Sequence, residues 1–423
     1  MQLGKGIGLT VIPTSQFKTV RVAVDFIAPV TVSELSKRIL MAQLLETSSQ
    51  DYPTQTALAT ALSNMYGASF GVNVFRYGRI NGLRFSGNVV DGALLGDPDV
   101  LATMFNFMKK VIFRPLVKDD AFESQTFTLQ QRNLIAYLKS LDDDKQYHAD
   151  QQLQNMVFSD LPELATSLYG DAATIATLDG QGLLADYQNL LATNQVQVTV
   201  VGDVTEAQIK ALMGDWPLPD RTPLKESPIV TRLRQPLIEK TEQQAVAQAK
   251  LNLAYQLPIG YRTEQFYAAL VFNGLFGGTP ISLLFKNVRE KNSLAYFASS
   301  QFDAFTGMLS VRTGIESHNR QAVEAIIAAQ LTAIQNGQFS DELFDQVVAS
   351  LINGRESRMD SAQALLNQAV LDELVGSHVS TAEWVQQVSA VSKQTVSAVA
   401  QQVTQQATYF LEGADDNETA PLS

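Results

Sequence analysis

The 423-residue chain has no cysteine and three histidines. The missing thiols exclude disulfides, cysteine nucleophiles and thiolate zinc sites together. His148, His318 and His378 stand singly, so no pair has the i, i+3 or i, i+4 spacing that sets two imidazoles on one helical face. A histidine-based metal site would have to be assembled from distant parts of the chain. Long apolar runs are also missing: nothing approaches the roughly 20 residues that a membrane-crossing helix needs. The N-terminal stretch MQLGKGIGLTVIPTSQ lacks the basic start and apolar centre of a secretion signal, so the expected location is cytoplasmic. Positive charge is short as well, with 31 Lys and Arg against 43 Asp and Glu, and the net charge of −12 would repel nucleic acid phosphates. Neither nucleic acid nor membrane is an expected partner.

What is present is globular in composition, 45% apolar and 17% charged, over a length that predicts two or more domains. The segment DWPLPDRTPLKESPIVTRLRQP, Asp215 to Pro236, holds five of the fourteen prolines and little apolar periodicity. It reads as a linker, residues 215–240, between an N-terminal domain 1–214 and a C-terminal domain 241–423.

The two halves show the same order of elements. TVRVAVDFIAPV and AVAQAKLNLAYQLP alternate as strands, and a helix follows each, Ser36 to Leu45 and Thr263 to Phe276. Paired strands come next, ASFGVNVFRYGRINGLRFSGNV and LAYFASSQFDAFTGMLSVRTGI, with turn residues at their centres. Helical patterns succeed them, as in DVLATMFNFMKKVIF and AVEAIIAAQLTAIQNG. Each half closes on a strand, QVQVTVVGDV and QATYFLEGAD. The expected fold class is α+β, a tandem duplication of one unit whose antiparallel-rich sheet is flanked by helices.

Two stretches carry the chemical reading. RILMAQLLETSSQDYP, Arg38 to Pro53, is an apolar helix with no metal-binding or proton-moving group before Glu46. FGGTPISLLFKNVREKNSLAYFAS, Phe276 to Ser299, breaks after an apolar helix at Gly277 and Gly278, resumes a helical pattern from Ile281 to Val288, and runs through REKNSLAY into a strand. FGG, a short helix and RExxxLAY, set in the second of two similar halves, resemble the C-terminal signature of the M16 metallopeptidase family. That family includes pitrilysin, insulinase and the mitochondrial processing peptidases.

The resemblance covers essentially the whole chain and implies two M16-type domains forming half of a clam-shell. Catalytic members carry an inverted zinc motif, H-x-x-E-H, with a further Glu on a later helix as third ligand. Counted back from Pro53, the motif positions fall on Ile39, Ala42 and Gln43. The later helix, SQTFTLQQRNLIAYLKSL, has no carboxylate, and Gln131 occupies the third-ligand position. These four are degenerate positions rather than ligands, so no metal or other cofactor is expected in this chain. What the resemblance retains is Arg289 and Tyr296, which in the family face the zinc and hold substrate; guanidinium and phenol both suit a carbonyl oxygen gaining charge. Within the family the chain is similar to non-catalytic bacterial YmfF-type members. The implied role is a non-catalytic subunit that pairs with a zinc-bearing, YmfH-type homologue, or with itself as a dimer, and helps bind a peptide in a shared chamber. The alternatives are a structural subunit without a part in proteolysis, and a zinc peptidase with atypical ligands. The glycine-rich loop of the mitochondrial non-catalytic subunit has no counterpart, since FGGTPIS is short.

Other motifs read as structure. LDDDKQYHAD places Asp144 and His148 at i, i+4, but fits an acidic helix start. GQGL, Gly180 to Leu183, has glycines without the lysine of a phosphate loop. DPDV reads as a helix start and DDNE, Asp415 to Glu418, as a loose tail.

Overall fold

The computed structural model describes residues 1–230 and 236–413, which form two compact units. Asp415 to Glu418 lies outside the described residues. Unit one comprises Met1–Ser140, Thr166–Pro228 and Arg358–His378; unit two comprises Leu141–Ala165, Ile229–Ser357 and the chain from Val379.

Unit one is built on a six-stranded sheet. Its strands are β1 (Gln2–Gly4), β2 (Ile7–Pro13), β3 (Thr19–Pro29), β4 (Ser69–Tyr77), β5 (Ile80–Val90) and, after the small ribbon of β6 (Val117–Lys118) and β7 (Ala121–Phe122), β8 (Gln195–Gly202). The spatial order is β1-β2-β8-β3-β5-β4, with β2 and β8 parallel and the other neighbours antiparallel. Val20, Val22, Val24 and Phe26 of β3 point into the main core. There they meet the helix Val100–Phe113, whose Leu101, Met104, Phe105, Met108 and Ile112 recur at the helical period.

Unit two has a five-stranded sheet of β9 (Ile238–Gln244), β10 (Ala249–Gln256), β11 (Ala295–Asp303), β12 (Met308–Ile315) and β13 (Thr404–Gly413) in the order β11-β12-β10-β13-β9. Only β13 and β9 are parallel among these described pairs. Taken in chain order, β9 to β13 repeat the positions and directions of β2, β3, β4, β5 and β8, so the two sheets share one topology. β9 begins at Ile238, inside the stretch that the prolines mark as a linker. Its sequence IEKTEQQ is charged and largely exposed, so it carries no alternating apolar signal.

The units are not contiguous in sequence. The helix Lys145–Val157, from the first half of the chain, packs on β10 and β13 of unit two. The helix Ala362–Val375, from the second half, packs on β8 and β3 of unit one. β10 and β13 are the topological equivalents of β3 and β8, so the exchange is reciprocal. Ala149, Leu153 and Val157 seal the first helix against Ala254, Ala407, Tyr409 and Leu411, while Ala362, Leu366 and Val370 seal the second against Ala23 and Val201. Burying each of the larger aliphatic side chains contributes about 1.5–3 kcal/mol. Each sheet is therefore covered on both faces, and β8 is buried along seven consecutive residues instead of every second one.

Candidate functional site

The helix Val32–Thr47 is buried around most of its circumference. Ile39 and Ala42 are 8% and 2% exposed and belong to the core of unit one, and Gln43 beside them is half-buried. Arg38 is also buried; it donates to the Phe26 carbonyl at 3.0 Å and to Asn194 Oδ1. Burial lowers its guanidinium to about 10, with Glu34 pulling the other way. Gln131, on the helix Ser124–Leu141, donates through Nε2 to the carbonyls of Ile175 at 2.8 Å and Leu178 at 2.9 Å. Ile175 lies on the short helix Ala172–Thr177, which packs against Val32–Thr47. The degenerate positions thus converge on one neighbourhood, but the chemistry there is hydrocarbon and amide.

A zinc ion does not fit these residues. Ile39 and Ala42 offer no lone pair, and the Gln131 amide is committed to two backbone carbonyls. Among the described residues no group of three or more His, Asp or Glu could hold a metal. The histidines are spent on carboxylates: His148 Nε2 lies 3.1 Å from Glu242, His318 Nε2 3.4 Å from Glu316, and His378 Nδ1 2.8 Å from Asp372. Glu46, the first carboxylate after the empty positions, accepts the Val72 backbone N–H on β4, an edge strand, and partial desolvation pushes its carboxyl up.

The second-half motif is explained by close approach. The helix Phe266–Asn273 continues as a π-helical turn, Gly274–Gly278. A Cβ on Gly277 would come within 2.6 Å of the Ser300 backbone nitrogen on β11, so only glycine lets the turn lie against that strand. Asn273 Oδ1 accepts from Ser300 Oγ at 2.8 Å and locks the contact. A second π-helical segment, Phe285–Lys291, carries Arg289. Ser293, at φ 53°, then reverses the chain so that Leu294 N bonds Val288 O at 3.0 Å and β11 starts at Ala295.

Arg289 and Tyr296 come together at this reversal. The Arg289 guanidinium lies 4.9 Å from the centroid of the Phe285 ring. Among the described residues no carboxylate pairs with it. Tyr296 is 76% exposed on β11, an edge strand of its sheet. Both line an open recess of about 440 Å³ that Gln248, Ser293, Glu316 and Asn319 also line. Sequence reasoning missed these four. Their signal is register: Ala295 pairs with Ile315, which brings the end of β12, and Glu316 after it, beside the start of β11.

The remaining motifs take structural places. Asp144 caps the helix Lys145–Val157 by accepting from Gln146 N and Tyr147 N. Gly180 opens the helix Gly180–Thr193, whose cap is Asp179. Val100 of DPDV begins the helix Val100–Phe113.

The family model described as Peptidase M16 inactive domain matches residues 177–351. A crystal structure of a conserved protein from Enterococcus faecalis V583 superposes at TM-score 0.94 with 38% identity over 99% of each chain. A peptidase M16 inactive domain from Pseudomonas fluorescens superposes at 0.80 with 14% identity over 98% of each chain. The Bacillus subtilis protein named probable inactive metalloprotease YmfF is 28% identical over 97% of this chain and 96% of its own length. The chain belongs to the M16 peptidase family. Within M16 it is similar to inactive homologues; Ile39 and Ala42 pack into the core of unit one and Gln131 is tied to backbone carbonyls. No helix of the described residues is long and apolar enough to cross a membrane.

Proposed function

We propose that this chain is the non-catalytic subunit of a two-subunit M16-type peptidase, acting in the cytoplasm beside a homologue that carries H-x-x-E-H and the zinc. Its own contribution is peptide binding in a shared chamber, through Arg289 and Tyr296. The observation that carries this reading is the pairing of an uncommitted guanidinium and an exposed phenol on one recess, in a chain whose degenerate zinc positions carry none of the motif's His or Glu. An arginine without a carboxylate partner keeps its donors for a carbonyl or carboxylate of a bound peptide. Tyr296 adds an O–H donor and an apolar ring at the end of an edge strand.

The test is co-expression with a zinc-bearing homologue, measuring zinc content and peptide cleavage for each chain alone and for the pair. Cleavage by the pair, absent from this chain alone, is expected, and Arg289→Ala should reduce it while the pair still co-purifies. An unchanged rate in Arg289→Ala removes that residue from the function. Stable pairing with no turnover in any combination would instead favour a structural subunit.

A further inference from the structure

The face of each sheet that receives the exchanged helix carries an arginine set beside one carboxylate and one amide; in unit one a second arginine on that face, Arg21 of β3, donates to Gln363 of the helix at 2.7 Å. In unit one Arg84 holds Asp25 of β3 in a two-pronged pair, Nε to Oδ1 at 2.6 Å and Nη2 to Oδ2 at 2.8 Å, and donates through Nη1 to Asn367 on the helix. In unit two Arg312 Nε lies 3.0 Å from Asp150 on the helix, and Asn252 of β10 donates to the same carboxylate at 2.8 Å. The positions correspond. Asp25 stands opposite Arg84 in the strand register, and Asn252 stands opposite Arg312. Asp150 and Asn367 are each the sixth residue of their helix. Each also takes a bond from a glutamine four residues earlier, Gln146 at 3.0 Å and Gln363 at 2.9 Å.

We propose that this opposite placement of the carboxylate, on the sheet in unit one and on the helix in unit two, is the rule that assigns each exchanged helix to its sheet. At the Arg84 and Arg312 positions both native dockings bring one arginine and one carboxylate together. The wrong docking of Lys145–Val157 on unit one would crowd Asp150 and Asp25 about the Arg84 guanidinium, and Arg21 would not relieve it, because the Gln363 that Arg21 meets is matched by Gln146 at the same helix position. The wrong docking of Ala362–Val375 on unit two would leave Arg312 facing two amides. A second carboxylate in the closed site of unit one is strongly unfavourable, and loss of the carboxylate in the more open site of unit two costs less but still removes the pairing, whereas the apolar contacts discriminate poorly. Ala149 and Leu153 occupy the places of Leu366 and Val370, a change of volume that cores absorb more readily than a change of charge. This inference stands apart from the peptide-binding proposal.

Hydrogen exchange of the full chain, resolved by segment, tests it. Asn367→Asp adds a second carboxylate to Arg84, and should lower protection of residues 362–375 about tenfold or more while leaving residues 145–157 unchanged. Asp25→Asn combined with Asn367→Asp moves the carboxylate onto the helix, as in unit two, and should return protection to within about threefold of the parent chain. The mirror pair, Asp150→Asn alone and with Asn252→Asp, should act in the same direction on residues 145–157, with a smaller first step of about fivefold in this more exposed site. That pair keeps the test open if the first does not fold, because Asp150 and Arg312 are 28% and 37% exposed and tolerate change better. Double variants no better protected than the sum of their singles, or Asn367→Asp and Asp150→Asn each without effect, would overturn the rule.

Discussion

Unit one and unit two share a topology and differ in where they keep their charge. The Asp25–Arg84 pair of unit one is sealed, with Asp25 at 0% exposure, whereas the Asp150–Arg312 pair of unit two is open to solvent. Burial pushes both carboxyls up and the arginine beside each opposes it, but only in unit one is the desolvation complete. Of two copies of one architecture, one has committed its polar group to the interior and the other has kept it near water. The same divergence recurs on the inner side of the sheets. The helix of unit one reaches an edge strand with a carboxylate, Glu46 to the Val72 N–H, and unit two does so with a bare glycine against Ser300.

The sharpest way to break this comparison is to remove the buried partner. Asp25→Ala leaves Arg84 in a closed site without a countercharge and should cost about 3–5 kcal/mol, read as the midpoint of the first transition in urea. Asp150→Ala, in the open triad, should cost only about 1 kcal/mol. Equal losses would mean that the two triads are not distinguished by burial. Gly277→Val comes next. Its Cβ would stand 2.6 Å from backbone, which must move, so a loss of about 1–3 kcal/mol is expected, with β11 amides losing exchange protection.

Much of this architecture was legible in the sequence, and for a physical reason. Period-two and period-3.6 apolar patterns report a buried face, so β3, β5, β8, β10 and β12 and the helices Val100–Phe113 and Arg320–Gln335 stood out. The pattern says that a face is buried without saying against what. That is why the helix exchange was not legible: Ala149, Leu153 and Val157 form an ordinary apolar stripe whose sheet lies in the other half of the chain. The π-helical turns were hidden because two inserted hydrogen-bond registers leave no mark on composition. The Arg289 and Tyr296 pair was legible through the family motif, but the recess around it depends on the pairing of β11 with β12.

A smaller effect concerns how the exchanged helix is held on unit two. Glu242 of β9 bonds His148 of the helix at 3.1 Å and accepts from the Tyr409 hydroxyl of β13 at 2.8 Å. Burial raises its carboxyl, but hydrogen bonds from Gln244 and Tyr409 and pairing with His148 outweigh that and hold it at about 2, against an ordinary 4.5. A depressed carboxyl contributes stability that is present above about pH 4.5 and is lost as pH falls toward 2. With 26% of the side chain exposed, solvent screening limits the contribution to about 1 kcal/mol. Glu242→Gln should flatten the acid limb of stability between pH 4.5 and 2 and change little at neutral pH beyond that increment. A variant with an acid limb as steep as the parent's would show that Glu242 does not anchor the helix.

The smallest expected effect separates two arginines that a sequence cannot tell apart. Arg84 has a carboxylate in a closed site, while Arg289 rests on the Phe285 ring beside an open recess. An exposed cation–aromatic contact is worth about 0.5–1 kcal/mol, and truncation leaves nothing buried without a partner. Arg289→Ala should therefore shift the urea midpoint barely, by no more than that contact, whereas its effect on peptide cleavage by a mixed pair should be large. A loss above about 2 kcal/mol would place Arg289 with Arg84 among the residues that hold the fold, and Tyr296 alone would then have to carry the binding role.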